Sequence, residues 1–250
     1  MQLCALALVL AVVPAAGTLL SAQAPGVTEG TALLQRLAKA HVDVQHITAN
    51  YVQRRMTRLV KKPLLSNGTL AFRREPGCVV FRVVAPRVAV IRLDKVHYEV
   101  YRAEQQRLER FVLPSDEMPR LLFDALSLTE AKLRERFEVA GCDAVADPPT
   151  RRRVRLIPND KKTRRVAAEV SLLIDTTTAG LCGFGYTDPR GDTVDVELSD
   201  VTTPKDPAAG TFELEVPKGT AVTVQKIPAP AEDDAPPEAS GAKKTPQAAK

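Results

Sequence analysis

Tryptophan is absent from this chain, and only four tyrosines and seven phenylalanines stand among its 250 residues. These aromatics are thinly spread and do not cluster with the arginines, so the chain carries no recognisable nucleic-acid module. Histidine is almost as scarce. His41 and His46 lie five apart, not the three or four that would stack them on one helix face, which argues against a metal pair, and His97 stands alone. Four cysteines occur, none in a CxxC element, which argues against a zinc ribbon or a thioredoxin-like pair. One of them, Cys4, lies in the N-terminal apolar stretch. The remaining Cys78, Cys142 and Cys182 leave two readings open, one disulfide or three small buried hydrophobes.

Catalytic signatures are missing too. There is no GxSxG, HExxH, P-loop or dinucleotide fingerprint, so the sequence points to no enzyme, no cofactor and no metal. Residues 3 to 20 are apolar or small, uncharged and interrupted by Pro14, a pattern expected of a secretory signal at residues 1–24 with Ala22-Gln23-Ala24 as the cleavage site. Beyond it no run approaches the roughly 20 apolar residues needed to cross a bilayer. The expectation is an exported, soluble, periplasmic protein.

The formal charge is +5. The leader is uncharged, and after residue 225 four acids (Glu232, Asp233, Asp234, Glu238) offset four lysines (Lys226, Lys243, Lys244, Lys250), so the excess sits on the body. A basic body suits acidic headgroups or an acidic protein. Residues 226–250 are rich in Pro, Ala and Lys and lack apolar periodicity, the composition of a disordered tail. One domain over 25–225 is the expected organisation.

Within that domain Thr28 to His46 has the spacing of an amphipathic helix, with Thr28 as cap and Leu33, Leu34, Leu37 and Val44 on one face. The pattern then becomes β. Tyr51 to Pro76 reads as two antiparallel strands reversing near Lys61 to Asn67, with Leu70 and Phe72 alternating against Thr69, Ala71 and Arg73. Further strands are expected at Cys78 to Val84, Val88 to Leu93, Val96 to Arg102 and Arg107 to Leu113, joined by short turns as an antiparallel meander. Asp94-Lys95 occupies one such turn, where Lys fits positive φ poorly. Pro114-Ser115-Asp116-Glu117 begins a helix capped by Ser115, and a second short helix runs from about Thr129 to Arg136. Strands return at Arg136 to Cys142, Arg151 to Pro158, Arg165 to Asp175, Leu181 to Thr187 and Thr193 to Asp200. The run Arg151-Arg152-Arg153-Val154-Arg155 makes its strand read as an edge protected by charge.

The combination Tyr51-x-Gln53, then Gly68-x-Leu70-x-Phe72, then Arg74 beside Pro76, resembles the start of the LolA family of periplasmic outer-membrane lipoprotein carriers. The resemblance continues through Phe81, Ala85-Pro86, Asp94, Tyr98 and Tyr101 to Thr211-Phe212-Glu213-Leu214-Glu215-Val216-Pro217-Lys218-Gly219. It implies a mainly β fold with a few helices, in which a curved antiparallel sheet forms an incomplete, half β-barrel covered by a helical lid. It also implies a monomer that shields lipoprotein acyl chains between an inner-membrane lipoprotein-releasing transporter and an outer-membrane acceptor. Leu70, Phe72, Phe81, Val83, Tyr98 and Leu122 are the expected lining, by parity and by this likeness. Ordinary core packing calls for the same residues. Arg74 is the expected lid latch, with Arg73 as a rival one position earlier. The alternatives are a sensor or interaction module of similar fold in the cell envelope, and a carrier of another lipid.

Overall fold

The computed structural model describes residues 25–113, 122–123, 126–127 and 129–226. The leader, the helix start at Ser115 and the tail after Lys226 lie outside the described residues. Helix α1 (Pro25–Ala40) precedes six strands, β1 (His46–Met56), β2 (Leu64–Arg73), β3 (Cys78–Ala85), β4 (Ala89–Asp94), β5 (His97–Arg102) and β6 (Arg107–Val112). After the helical pairs 122–123 and 126–127 come α2 (Glu130–Arg136), β7 (Phe137–Ala144), β8 (Arg151–Pro158), α3 (Lys161–Val166), β9 (Glu169–Asp175), β10 (Leu181–Thr187), β11 (Thr193–Thr202) and β12 (Ala221–Lys226).

All twelve strands join one sheet in the order β12-β6-β5-β4-β3-β2-β1-β11-β10-β9-β8-β7. Two meanders, β1 to β6 and β7 to β11, are stitched together where β1 pairs with β11. The edge strands β7 and β12 do not meet, so the sheet is an open half-barrel. Every pairing is antiparallel except that of β12 with β6. That parallel edge strand was not foreseen from sequence, which ended the domain at residue 225 and named no strand after Asp200.

One face carries the core. Ile47, Ala49 and Tyr51 of β1, Leu70 and Phe72 of β2, Val79 of β3, Val154 and Leu156 of β8, and Leu172 and Ile174 of β9 are buried there beneath Leu33, Leu34 and Leu37 of α1. Phe123, Leu126 and Leu133 complete the cover. Each fully buried aliphatic or Phe side chain contributes about 1.5–3 kcal/mol against exposure, so this layer, not helix propensity, holds α1 in place. α1 lies close on β7 and β8 because it is small there. A Cβ on Gly30 would come within 2.9 Å of Val139 Cγ1, and one on Gly26 within 3.3 Å of the Cys142 nitrogen.

On the outer face, Phe212 from the coil after β11 packs on Ala71, Cys78 and Val80. Arg73 stacks over its ring at 4.8 Å, and Arg82 donates to the Gly210 carbonyl at 2.6 Å. Farther along, Glu99 is buried between Arg92 (2.9 Å) and Arg110 (2.6 Å). A carboxylate taken out of water needs such partners.

Several local expectations change. α1 starts at Pro25, not Thr28; proline suits a first helical position because its missing N–H is one the first turn leaves free anyway. Thr28 therefore sits inside the helix, and Glu29 pairs with Arg152 of β8 at 3.1 Å. Asn67-Gly68 lies within β2, not in the reversal, which is made by residues 57–63. Gly68 is needed for close approach: a Cβ there would stand 1.9 Å from the Arg82 carbonyl oxygen. Residues 165–168 are not strand. Asp160 accepts from the Thr163 N–H (2.7 Å) and hydroxyl (2.6 Å) and so caps α3 instead.

β8 is no edge; β7 lies outside it. Its arginines are accommodated by ion pairs, Arg153 with Asp195 at 2.5 Å and Arg155 with Asp143 at 2.8 Å. The first reaches across β9 and β10 because Ser171 and Gly185 leave the space open. The cysteines Cys78, Cys142 and Cys182 are all free thiols.

Candidate functional site

Cross-strand partners in an antiparallel sheet share a face, so the register shows what lies inside the half-barrel. Tyr51 pairs with Leu198 in a solidly packed row. The next rows along the strands are Gln53, Val196 and Phe184, then Arg55, Val194, Tyr186 and Val170. Here the packing opens. These residues border a cavity of about 190 Å³, closed on other sides by Phe81 of β3 and by Leu122. The interior is thus filled beneath α1 and hollow toward Arg55.

The walls are apolar and aromatic. Phe81 meets the Tyr51 ring edge-to-face at 5.2 Å, which fixes its orientation at the cavity wall. Polar groups gather at one end, where Gln53, Arg55 and Tyr186 reach the hollow. Burial pushes the Tyr186 phenol up, as it does that of Tyr98, while the Arg55 charge opposes the rise in both. Arg54, its neighbour on the opposite face, pairs with Glu197.

The cover over this face is tied by Arg74. Its Nη2 donates to the carbonyls of His41 (2.9 Å) and Ser127 (2.7 Å), and its Nη1 to that of Val42 (3.0 Å). His41 and Val42 follow the last turn of α1, where helix carbonyls lack intrahelical donors, and a planar five-donor guanidinium satisfies several at once. Burial lowers the Arg74 pKa, with Glu75 and Asp43 acting against it. His41 Nδ1 closes on the Leu37 carbonyl at 2.9 Å. Arg73 points the other way, onto Phe212.

Comparison with known proteins adds little about activity. No family model matches the chain, and no curated protein matches it. Its structural neighbours do include LolA superfamily proteins. One from Nitrosomonas europaea has a TM-score of 0.36 at 10% identity, covering 74% of this chain and 96% of that one. An uncharacterised conserved protein from Thermus thermophilus gives 0.45 at 11% identity, covering 79% and 99%. A chain of the Pseudomonas aeruginosa MucA/MucB complex gives 0.38 at 14% identity, covering 75% and 61%. At such scores the likenesses say nothing about what this chain binds.

Of the residues expected to line a trough, Phe81 and Leu122 border the cavity. Leu70 and Phe72 are sunk in the packed core, each 2% exposed. Val83 is buried opposite Gly68, and Tyr98 packs against the core with its ring 5.9 Å from Phe111. Missed from sequence were Arg55, Val170, Phe184, Tyr186, Val194 and Val196. Their signal was available in the two-residue alternation of β1, β9, β10 and β11, but parity alone does not say which strands face one another. Among the described residues no group of three or more His, Cys, Asp or Glu could hold a metal ion, and no helix is long and apolar enough to cross a membrane.

Proposed function

We propose that this protein is an exported carrier that shelters acyl chains, in the manner of a lipoprotein carrier moving cargo from the inner to the outer membrane. The observation that carries the reading is the hollow on the inner face, walled by Phe81, Leu122, Val170, Phe184, Val194 and Val196. A site whose walls are greasy and whose neighbours include no recognisable nucleophile and base favours holding a chain over transforming it. Each methylene moved from water into such a lining is worth about 0.8 kcal/mol, so about ten are needed to reach a micromolar dissociation constant. At about 190 Å³ the resting cavity is smaller than the roughly 300–1,000 Å³ of ordinary ligand pockets. Loading therefore requires the helical cover to move, and Arg74 is the latch that holds it shut.

The test is uptake of a fluorescent acyl chain by the exported protein freed of lipid. Val194→Phe, which fills the hollow with an apolar side chain, is expected to lower uptake at least about tenfold with the circular dichroism spectrum unchanged. Uptake equal to the unaltered protein would overturn the reading. One observation favours a second reading, an envelope interaction module: half of the interior is solid, leaving little room for several chains. A regulatory protein co-purifying with a lipid-free cavity would support it.

A further inference from the structure

The cavity has a chemically distinct end. Gln53, Arg55 and Tyr186 meet there, and all of them can present N–H or O–H donors to the hollow. Arg55 is the unusual member. Most arginines on the described strands near it are neutralised: Arg54 by Glu197, Arg102 and Arg107 by Glu109, Arg92 and Arg110 by Glu99. Arg55 has no ion-pair partner among the described residues, although it borders the cavity. Asp188 and Asp192 act on the neighbouring Tyr186, yet both are engaged in their own turn. Asp188 accepts from the N–H groups of Arg190 and Asp192 at 2.9 Å, and Asp192 accepts from that of Arg58 at 3.0 Å.

We infer that the cavity binds a single-chain amphiphile with an anionic head, the chain lying against Phe81, Phe184 and Val196 and the head meeting the Arg55 guanidinium. The inference rests on the carrier reading and names its ligand class. Burying an acyl chain would draw its head to the polar end, and there the charge available is positive. The Arg55 guanidinium, exposed and with no ion-pair partner among the described residues, offers a planar fork to a carboxylate or a phosphate that a neutral head cannot use. Tyr186 supplies a hydroxyl beside it. Arg102 acts on Tyr98 as Arg55 does, but Glu109 already occupies that guanidinium, which leaves Arg55 as the unpaired arginine bordering the cavity among the described residues.

The experiment compares palmitate, palmitoyl lysophosphatidate and the neutral monopalmitoylglycerol for displacement of a fluorescent acyl probe, using the full protein at low salt. Both anions are expected to bind about tenfold or more tightly than the neutral lipid. Arg55→Gln is expected to bring the ratio near one, chiefly by weakening the two anions, and Arg55→Lys to restore part of it. A preference for lysophosphatidate alone would assign the head as phosphate, and one for palmitate alone as carboxylate. Equal binding of all three lipids to the unaltered protein, or a preference that survives Arg55→Gln, would overturn the inference while leaving the carrier reading intact. If none of the three lipids displaces the probe, both are overturned.

Discussion

Asp94 shows how much one side chain can fix. Its Oδ1 accepts from the N–H groups of Val96 and His97, both at 2.8 Å, and Arg92 lies 2.9 Å from its other oxygen. The turn between β4 and β5 is thereby closed by a side chain rather than by a glycine, which is how Lys95 is tolerated: it has no positive φ. Burial by itself would raise the Asp94 pKa, but those hydrogen bonds and the Arg92 charge outweigh it and hold the carboxyl below its ordinary value. A carboxyl depressed in the fold stabilises it fully above the unfolded-state pKa and loses that contribution as pH falls through the folded one. Asp94→Asn is therefore expected to cost about 1 kcal/mol at pH 7, the excess of a charge-assisted over a neutral hydrogen bond. The cost should shrink toward zero below the usual carboxylate range, as read by urea unfolding at neutral and acid pH. A cost that stays the same at both pH values would contradict this account of the turn.

Residue by residue, the sequence was legible where a local rule governs and silent where the fold decides. Phe81 was legible as an inward residue by its parity with Val83 and by the family likeness, although β3 carries apolar residues on both faces. Arg55 was not, since its meaning depends on Glu197 taking Arg54 and on β10 and β11 arriving beside β1.

At the scale of elements, the cover of the half-barrel is packed by its apolar face and tied at the end of α1 by one arginine. Arg74 ties the end of α1 to Ser127, and the carbonyls of His41, Val42 and Ser127 lose its guanidinium together if it goes, although His41 keeps the Val44 N–H at 3.1 Å. Arg74→Met is expected to lower stability by about 1.5–3 kcal/mol, given the loss of charge-assisted hydrogen bonds to part-buried carbonyls. Hydrogen exchange should then quicken over 37–44 and 126–130 while β8 and β9 keep their protection. Loss of protection spread evenly over the sheet would show Arg74 to be a general structural residue and no latch. Strands β1 to β6 and β8 were readable from alternation and turn residues. α3 was not, because Arg165-Val166 continues into the apolar run of β9, and only the Asp160 cap, satisfied by Thr163, divides them. Likewise the arginine run of β8 suggested an edge. Its acids come from β7, β9 and β11, partners that no local window contains.

The whole molecule is a sheet of two meanders bent around an interior that is solid at one end and hollow at the other. α1, Phe123 and Leu126 fill the first part with Leu70, Phe72 and Leu172; toward Arg55 no such filling reaches among the described residues. The edge strands β7 and β12 stay unpaired with each other. The most direct measurement is paramagnetic broadening of methyl signals by a nitroxide-bearing acyl chain bound to the full protein. A chain in the hollow broadens Val170, Val194 and Val196 and spares Val222 and Val224 on the exposed edge strand β12. Broadening of the β12 valines with the cavity methyls unaffected would place the chain outside the half-barrel and contradict the account.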